Sequence, residues 1–163
     1  LSGKKKLILD LRNNPGGYLN SAVDIASWFI SAGEIVAREK MANEREINHR
    51  SYGYRFLEKS PVVVLINQGS ASASEIVAGA LRDQRGIKLI GEKTFGKGSV
   101  QELQKLPQNA SLKLTIAKWL TPNRHSINDA GLEPDVKVEI TKEDSENNKD
   151  TQLEKAVEII KGL

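Results

Sequence analysis

The chain has 163 residues, a length typical of one domain with one hydrophobic core, and we predict that residues 1–163 form a single domain. Its 39% hydrophobic and 28% charged residues are ordinary for a folded globular protein, and no apolar run is long enough for a membrane helix. The 24 basic and 21 acidic residues are interspersed and aromatic residues make up 5%, so we expect no nucleic-acid partner. The absence of cysteine excludes thiol catalysis and disulfides, and with two histidines we expect no multi-histidine metal site.

The first half of the chain alternates apolar runs typical of strands with segments that have helical spacing. In order, we predict a strand at 7–11, a helix at 19–30, strands at 34–38 and 61–67, and a helix at 74–83. The run PVVVLIN at 61–67 is β-branched and uninterrupted, which is typical of a strand buried on both faces. A glycine-rich turn, RNNPGG, follows the first strand, and an alternation at 45–49 predicts an edge hairpin.

The second half of the chain is richer in strands. We predict strands at 87–92, 99–106, 111–120 and 136–140, a polar linker at 143–150 and a C-terminal helix at 152–163. This helix places Leu153, Ala156, Val157 and Ile160 on one face. Because the order is βαβ-like at first and β-rich later, we predict an α/β fold with a mixed sheet flanked by helices.

One stretch changes abruptly in composition. Directly after the apolar run, residues 69–81 read GSASASEIVAGAL, with three serines between small residues. Ser72 and Glu75 have the spacing of a capping box, in which the serine caps a helix and the glutamate bonds back. Small neighbours also let a substrate backbone approach a serine, and the first N–H groups of a helix can hold an oxyanion. A serine at this turn caps the helix, attacks a substrate, or does both.

A second glycine-rich stretch, GEKTFGKG at 91–98, has part of the pattern of a phosphate-binding loop. Gly98 stands where such a loop needs Ser or Thr to hold magnesium. The residues that follow, at 99–106, alternate like a strand, whereas a phosphate-binding loop opens a helix. Nucleotide binding is therefore a remote alternative.

A serine nucleophile needs a neighbouring base. Neither His49 nor His125 lies in a recognisable motif, and the Gly-x-Ser-x-Gly elbow is absent. Lys97 is the better candidate because apolar strands nearby could desolvate its ammonium group, although a solvated loop lysine is the commoner fate. Lowering a lysine pKa from about 10.4 to about 7 costs about 4.6 kcal/mol, which burial can supply. Gln101 carries no charge and could orient the neutral amine without stabilising the ammonium form.

Four motifs in this order resemble the catalytic domain of the C-terminal processing peptidases, also called tail-specific proteases. The motifs are LILDLRNNPGG, NQGSASASEIVAGALRD, GEKTFGKGSVQ and a later TP…I…GLEPDV. They extend over nearly all of the chain, from residue 7 to residue 160, with 39–60 weakly matched. The resemblance implies a serine endopeptidase with a serine–lysine dyad, and a fold similar to the α/β spiral of crotonase and Clp protease.

The resemblance also implies particular site residues, carried over position by position. The nucleophile falls on Ser72, the general base on Lys97 and the orienting glutamine on Gln101. The implied oxyanion donors are backbone N–H groups of the following residues: Ala73, and either Gly16 or Gly17 of the NPGG loop. The resemblance does not decide between the two glycines. It implies no metal ion and no organic cofactor.

The same resemblance implies a setting. The implied substrates are protein or peptide chains that are cleaved near apolar C-terminal tails. The implied location is extracytoplasmic, in the bacterial cell envelope or periplasm. The resemblance leaves open whether the chain forms homo-oligomers. Family members usually carry a PDZ domain ahead of this region, which residues 1–163 lack, and because the sequence begins with Leu1 we expect a fragment or a processed chain. The alternative is a non-catalytic protein-binding domain of the same fold, in which Ser72 only caps and Lys97 is solvated.

Overall fold

The computed structural model describes residues 6–107 and 110–163, which form eight strands and four helices. The strands are β1 Leu7–Asp10, β2 Ile35–Met41, β3 Glu46–Arg50, β4 Val62–Ile66, β5 Lys88–Gly91, β6 Ser99–Lys105, β7 Ser111–Leu120 and β8 Val136–Lys137. The helices are α1 Leu19–Ser27, α2 Ala73–Arg85, α3 Lys142–Glu146 and α4 Thr151–Gly162. Within these described ranges, no helix combines the length and apolar character needed to cross a bilayer.

A parallel sheet in the order β1–β4–β5–β8 forms the centre of the molecule. Its strand β4 is buried along its whole length because helices cover both faces. Val64 faces the apolar cluster that includes α1 and α2, whereas Val63 and Leu65 face Ala156 on α4. Successive side chains of a strand point to opposite faces, so a strand between two helical layers needs an unbroken apolar run. The prediction that 61–67 contains a strand buried on both faces is confirmed.

Parallel pairing brings three loops to one edge of this sheet. Strands β1, β4 and β5 run in the same direction, and each is followed by one of the glycine-rich motifs. The carboxyl ends of parallel strands meet at a common edge, which is where α/β proteins commonly build their sites. The RNNPGG loop, the GSASAS turn and the TFGKG loop therefore lie side by side.

A second, antiparallel sheet has the order β3–β2–β7–β6. The predicted edge hairpin is confirmed, since β3 pairs with β2 at one edge. Strand β6, at the other edge, begins directly after the TFGKG loop, so this loop connects the two sheets. The predicted α/β architecture with parallel and antiparallel strands flanked by helices is confirmed, with the two kinds of pairing in separate sheets.

Four elements differ from the predictions. Helix α1 ends at Ser27 rather than residue 30, because the backbone N–H of Tyr54 donates to Ser27 O at 2.9 Å and that of Leu57 donates to Trp28 O at 2.8 Å. These bonds satisfy carbonyl groups at the helix end. The predicted polar linker contains the short helix α3, which Thr141 caps by accepting the N–H of Asp144. Strand β8 has two residues instead of the predicted five, and most of β6 is exposed rather than half-buried.

The buried face of α4 also differs by one residue. Ala156 and Ile160 are buried as predicted, but Leu153 is 40% exposed and the polar Gln152 is 1% exposed. Gln152 can be buried because its side chain is satisfied: Nε2 donates to Val138 O at 2.8 Å, and Oε1 accepts from Arg12 Nη1 at 3.2 Å. Helical periodicity placed Gln152 on the solvent-facing side of α4, but its buried side chain attaches the helix to Val138 and Arg12.

Arg12 connects the end of β1 to the start of α4. Its guanidinium contacts Asp150, the N-cap of α4, through two bonds of 2.8 Å, and it also bonds Asp10. The hydrogen bonds from Arg12 hold the pKa of Asp150 below its ordinary value, and the two carboxylates raise the pKa of Arg12. The C-terminal helix is thus attached electrostatically to the strand that precedes the RNNPGG loop.

Replacing Asp150 by Asn should make the chain less sensitive to acid. A carboxylate with a lowered folded-state pKa stabilises the fold above its ordinary pKa, and this stability is lost as the pH falls through the folded-state value. The ordinary value is 3.8, so the unfolding free energy of the natural chain should drop below that pH. We expect D150N to lose about 1 kcal/mol at neutral pH and to fall less steeply in acid, since water screens a partly exposed pair. Urea unfolding at several pH values measures both effects.

The matched control is Glu158→Gln, which removes an exposed pair with Lys155 at the same 2.8 Å distance. Exposed pairs contribute little, so E158Q should keep both the neutral stability and the acid dependence of the natural chain. Identical acid dependence in D150N and E158Q would contradict the assigned role of Asp150.

Candidate active site

Ser72 occupies a strained turn between β4 and α2. Its backbone has φ 56° and ψ −119°, which is the first central position of a type II′ turn, a place usually taken by glycine. The turn is closed by the N–H of Ser74, which donates to Ala71 O at 3.1 Å. A non-glycine residue held in such a conformation costs on the order of 1–3 kcal/mol, and strain of this kind is concentrated at functional sites. The nucleophile of an α/β hydrolase likewise sits on a sharp, strained strand-to-helix turn.

The hydroxyl group of Ser72 is not used to cap the helix. It faces the N–H of Glu75, three residues on, without forming a cap hydrogen bond. An N-cap serine ordinarily has extended backbone angles and accepts from the second or third helical N–H. The predicted Ser72–Glu75 capping box is present as an arrangement, although only its reverse half, from Ser72 N to Glu75 Oε2 at 2.9 Å, is a hydrogen bond. The missing hydrogen bond to the hydroxyl weakens the interpretation of Ser72 as a simple helix cap.

Glu75 holds the serine turn and the lysine loop together. Its carboxylate is 0% exposed and accepts four hydrogen bonds. Oε2 accepts the backbone N–H groups of Ser72 and Lys97, both at 2.9 Å. Oε1 accepts the Thr94 hydroxyl at 2.5 Å and the Gly96 N–H at 2.8 Å. One buried carboxylate thus fixes the backbone of the predicted nucleophile next to the backbone of the predicted base.

All four partners of this carboxylate are neutral donors. An ionised carboxylate has about four acceptor positions, so the set is complete and no buried polar atom is left over. Thr94 Oγ1 also accepts the N–H of Leu132 at 2.7 Å, which leaves its single proton for Glu75. The sequence identified Glu75 only as a capping residue, because the donors from the lysine loop lie 19 to 22 residues away.

Gly16 lies against the Ser72 turn as closely as two backbones can pack. It has φ +87°, and a Cβ placed on it would lie 2.5 Å from Ala71 O and 2.6 Å from Ala73 N. Any side chain would therefore push the NPGG loop away from the turn. This contact explains the requirement for glycine and brings the predicted oxyanion residues together.

Asn14 distinguishes the two glycines of the NPGG loop. Its Oδ1 accepts the N–H of Gly16 at 2.9 Å, and its backbone O accepts the N–H of Ala71 at 3.0 Å. The Gly16 N–H is therefore engaged inside the loop. The N–H groups of Gly17 and Ala73 have no hydrogen-bond acceptor within residues 6–107 and 110–163, and both residues border the same cleft.

The cleft next to Ser72 has a volume of about 240 Å³ and no charged side chain in its lining. Its walls come from the NPGG loop, α1 and the first turns of α2, with Leu11, Ala22, Ile25 and Val77 as the aliphatic members. A pocket of this composition favours an apolar side chain over a charged one.

The side chains of Lys97 and Gln101 are placed differently from the expectation. Lys97 is exposed, and its ammonium group has no hydrogen bond or ion pair among the described residues. Gln101 lies opposite Thr115 on the edge strand β6 and is also exposed, without a hydrogen bond to Lys97. The structure brings the backbone of Lys97 to the site, but its described part provides no apolar cover for the amine.

The loop that contains Lys97 does not have the geometry of a phosphate-binding loop. It leads into the strand β6, as predicted, whereas a phosphate-binding loop opens a helix. In the described part of the chain, no cluster of three or more potential metal-binding side chains occurs.

Residues 1–138 match the peptidase family S41. A probable CtpA-like serine protease of Staphylococcus aureus is 43% identical over 146 residues, covering 89% of this chain and 29% of the relative. The corresponding protein of Staphylococcus epidermidis is 42% identical, covering 89% of this chain and 30% of the relative. The chain thus spans less than a third of the length of these curated relatives.

Two solved structures with peptidase names are also similar to this chain. The photosystem II D1 C-terminal processing protease is 35% identical, with a TM-score of 0.77 over 82% of this chain and 34% of that chain. A putative peptidase from Parabacteroides merdae is 27% identical, with a TM-score of 0.79 over 96% of this chain and 52% of that one. The chain belongs to peptidase family S41, and the predicted resemblance to the C-terminal processing peptidases is confirmed.

Replacing Glu75 by Gln should both destabilise the fold and separate the two halves of the site. In either orientation the new amide NH₂ faces a backbone N–H that needs an acceptor. An unsatisfied buried group of this kind costs about 1–3 kcal/mol. We expect a lower midpoint of urea unfolding and, at temperatures where E75Q is folded, slower labelling of Ser72 by a fluorophosphonate. The exposed Glu102 provides the control E102Q, which should change neither quantity.

Proposed function

We propose that this chain is the catalytic domain of a serine endopeptidase with a serine–lysine dyad. The observation that carries the proposal is the strained turn of Ser72, which leaves the hydroxyl free beside the open N–H groups of Gly17 and Ala73. Membership of peptidase family S41 supports the same proposal, and the two staphylococcal relatives are named as probable CtpA-like serine proteases. Residues 1–163 would then be one catalytic domain.

The proposed reaction proceeds through an acyl-enzyme. Ser72 Oγ attacks the scissile carbonyl carbon while neutral Lys97 takes the hydroxyl proton, and the carbonyl oxygen becomes an oxyanion. The N–H groups of Gly17 and Ala73 donate to this oxyanion, which develops only as the bond forms. Collapse of the intermediate breaks the C–N bond, and the lysine proton goes to the leaving amine. Water then repeats the sequence on the ester and regenerates Ser72.

This mechanism requires Lys97 to lose contact with water. A solvated ammonium group holds its proton, and burial is what disfavours the charged form. We propose that a bound substrate chain, lying over the cleft and the lysine loop, supplies the missing cover. Gln101 would orient the amine from the adjoining edge strand. These roles require the exposed side chains of Lys97 and Gln101 to move, and flexible surface side chains change conformation readily.

The cleft next to Ser72 favours substrates with apolar residues. Its uncharged lining would receive the side chain on the amino side of the scissile bond. A charged side chain would lose its hydration there without gaining a partner. We therefore propose protein or peptide substrates cut near apolar C-terminal tails.

The setting of the enzyme is proposed from its relatives alone. The longer relatives leave room for further domains, and we propose that a PDZ domain outside residues 1–163 presents substrates to this site. An extracytoplasmic location, in the bacterial cell envelope or periplasm, and assembly into homo-oligomers are proposals of the same standing. The proposed mechanism uses no metal ion and no organic cofactor.

The second candidate function is a non-catalytic protein-binding domain with the same fold. The exposed side chain of Lys97 favours it, since a solvated lysine is not a base. In this alternative the Ser72 turn serves only to start α2. The strained backbone of Ser72 argues against it, because a binding domain would gain stability by placing glycine there.

Replacing either member of the dyad should abolish cleavage. In the longest polypeptide that the gene encodes, we expect S72A to reduce hydrolysis of denatured casein at least about 10⁴-fold, and K97A about 10²- to 10⁴-fold. Lys93 lies in the same loop and pairs with Glu133 at 3.1 Å, so K93A is a matched control that should retain activity. Circular dichroism checks that each variant is folded. Equal cleavage by the natural protein and all variants would show that the activity does not come from Ser72 and Lys97. The non-catalytic alternative would then stand for this domain.

Changing the rim of the cleft should change the substrate preference. Ile25 borders the cleft and is 44% exposed, so a charged residue fits there without disturbing the core. We expect I25E to lower kcat/KM about 10-fold or more for peptides with an apolar residue before the scissile bond, and to raise it for peptides with lysine there. The control I25M should keep the apolar preference. If I25E affects both peptides equally, the cleft does not receive this side chain.

A further inference from the structure

Two asparagines bridge the loops that carry the proposed nucleophile and oxyanion donors. Asn67 is the first residue after β4, and Asn13 follows β1 in the RNNPGG loop. Asn67 Oδ1 accepts the N–H of Asn13 at 2.8 Å and the N–H of Gly69 at 3.0 Å. Asn67 Nδ2 donates to Asn13 Oδ1 at 3.0 Å. The two side chains therefore form a reciprocal bridge between neighbouring loops.

The orientation of this bridge is fixed by hydrogen-bond chemistry. Two backbone N–H groups point at the same atom of Asn67, and because backbone N–H groups only donate, that atom must be the amide oxygen. The amide NH₂ of Asn67 then faces Asn13, so the facing atom of Asn13 must accept and is Oδ1. Neither amide can be flipped without placing two donors against each other.

The bridge begins where the backbone ladder ends. The registered pairing of β1 with β4 stops at Asp10 and Leu65, and one further bond joins Leu11 N to Leu65 O at 2.9 Å. Beyond that point the two chains diverge into different loops. Ser70 Oγ donates to Leu11 O at 2.7 Å, and the asparagine pair continues the connection towards the NPGG loop. These side-chain contacts, together with the backbone bond from Ala71 N to Asn14 O at 3.0 Å, join the two loops beyond the end of the ladder.

The loops are packed at the bridge as closely as backbone allows. Asn13 has φ 55°, a left-handed conformation that asparagine tolerates better than most residues. A Cβ placed on Gly69 would lie 2.7 Å from Asn13 Cα and 2.8 Å from Asn13 Oδ1. The bridge therefore depends on glycine at position 69, and it leaves little freedom for one loop to slide along the other.

We propose that Asn67 and Asn13 are positioning residues that set the distance between the Gly17 N–H and the Ser72 turn. Gly17 lies downstream of Asn13 and Ala73 downstream of Asn67, so the bridge, together with the bond from Ala71 N to Asn14 O, contributes to the spacing of the two N–H groups. This inference rests on the proposed peptidase activity. Its consequence is kinetic: loss of the bridge weakens binding of the tetrahedral intermediate more than binding of the substrate.

Isosteric variants separate this role from simple packing. N67A deletes the bridging amide, whereas N67D keeps the shape and the two accepted N–H bonds and lets the Asn13 amide flip, so that Asn13 Nδ2 donates to the new carboxylate and a cross-loop bond is kept. N13G keeps the left-handed backbone and deletes only the side-chain amide. Asn20 is exposed at the start of α1, near the NPGG loop, so N20D controls for an added negative charge in this region.

The experiment uses the longest polypeptide that the gene encodes and measures kcat, KM and the affinity for a peptide boronic acid. The boronic acid becomes tetrahedral when it binds the serine, so its affinity reports on binding of the tetrahedral intermediate. We expect N67A and N13G to lower kcat about 10- to 100-fold, less than the loss on removing an oxyanion donor outright, with KM within about 3-fold, and N67D to lose less kcat than N67A. Boronic acid affinity should fall by the same factor as kcat. The double variant N13G/N67A should be no worse than N67A alone, because both remove one bridge. N20D should behave like the natural enzyme.

Other outcomes overturn the proposal. A raised KM with unchanged kcat and boronic acid affinity would show that the asparagines serve substrate binding or packing instead. Additive effects of N13G and N67A would show that they do not act as a pair. If N67A does not fold, N13G decides by the same kinetics, since its backbone conformation is retained. Activity that survives in S72A would instead refute the proposed function, whatever the asparagine variants do.

Discussion

The buried carboxylate of Glu75 is the interaction on which the geometry of the site depends. Among the described residues it has no cationic partner, so its burial is tolerated only while all four neutral donors reach it. Three of these donors are backbone N–H groups on either side of the site. The serine turn and the lysine loop must therefore be folded together, because either one alone would leave a charged group without its hydrogen bonds. The strained conformation of Ser72 is held by the same carboxylate.

The two sheets contribute different parts of the site. The parallel sheet supplies a rigid edge, since β4 is covered on both faces and its loops emerge between β1 and β5. The antiparallel sheet begins where the lysine loop ends, and its edge strand β6 is largely exposed. The proposed nucleophile thus follows the fully buried strand β4, and the proposed base lies at the boundary of the fold with solvent.

Sequence patterns predicted the parts of this structure that depend on local order. The apolar run at 61–67 implied a doubly covered strand, and the spacing of Ser72 and Glu75 located the start of α2. Contacts between distant segments were not visible. The choice between Gly16 and Gly17 depends on where Asn14 Oδ1 points, and the burial of Gln152 depends on Arg12. The exposure of Lys97 could not be predicted, because the solvation of a loop residue depends on which distant segments cover the loop. The hydrophobic periodicity of the sequence gives no information about such covering.

The reliance on main-chain groups has a consequence for sequence drift. The proposed oxyanion donors and three of the four partners of Glu75 are backbone N–H groups, which every residue except proline possesses. Substitution at the exposed Phe95 or Gln68 can therefore change the side chain without deleting one of these hydrogen bonds. Divergence is constrained at a small set of positions, chiefly Glu75 and the glycines that allow close approach. A chain of this kind can vary its surface widely, and so adapt to new substrates, while its reaction centre stays the same.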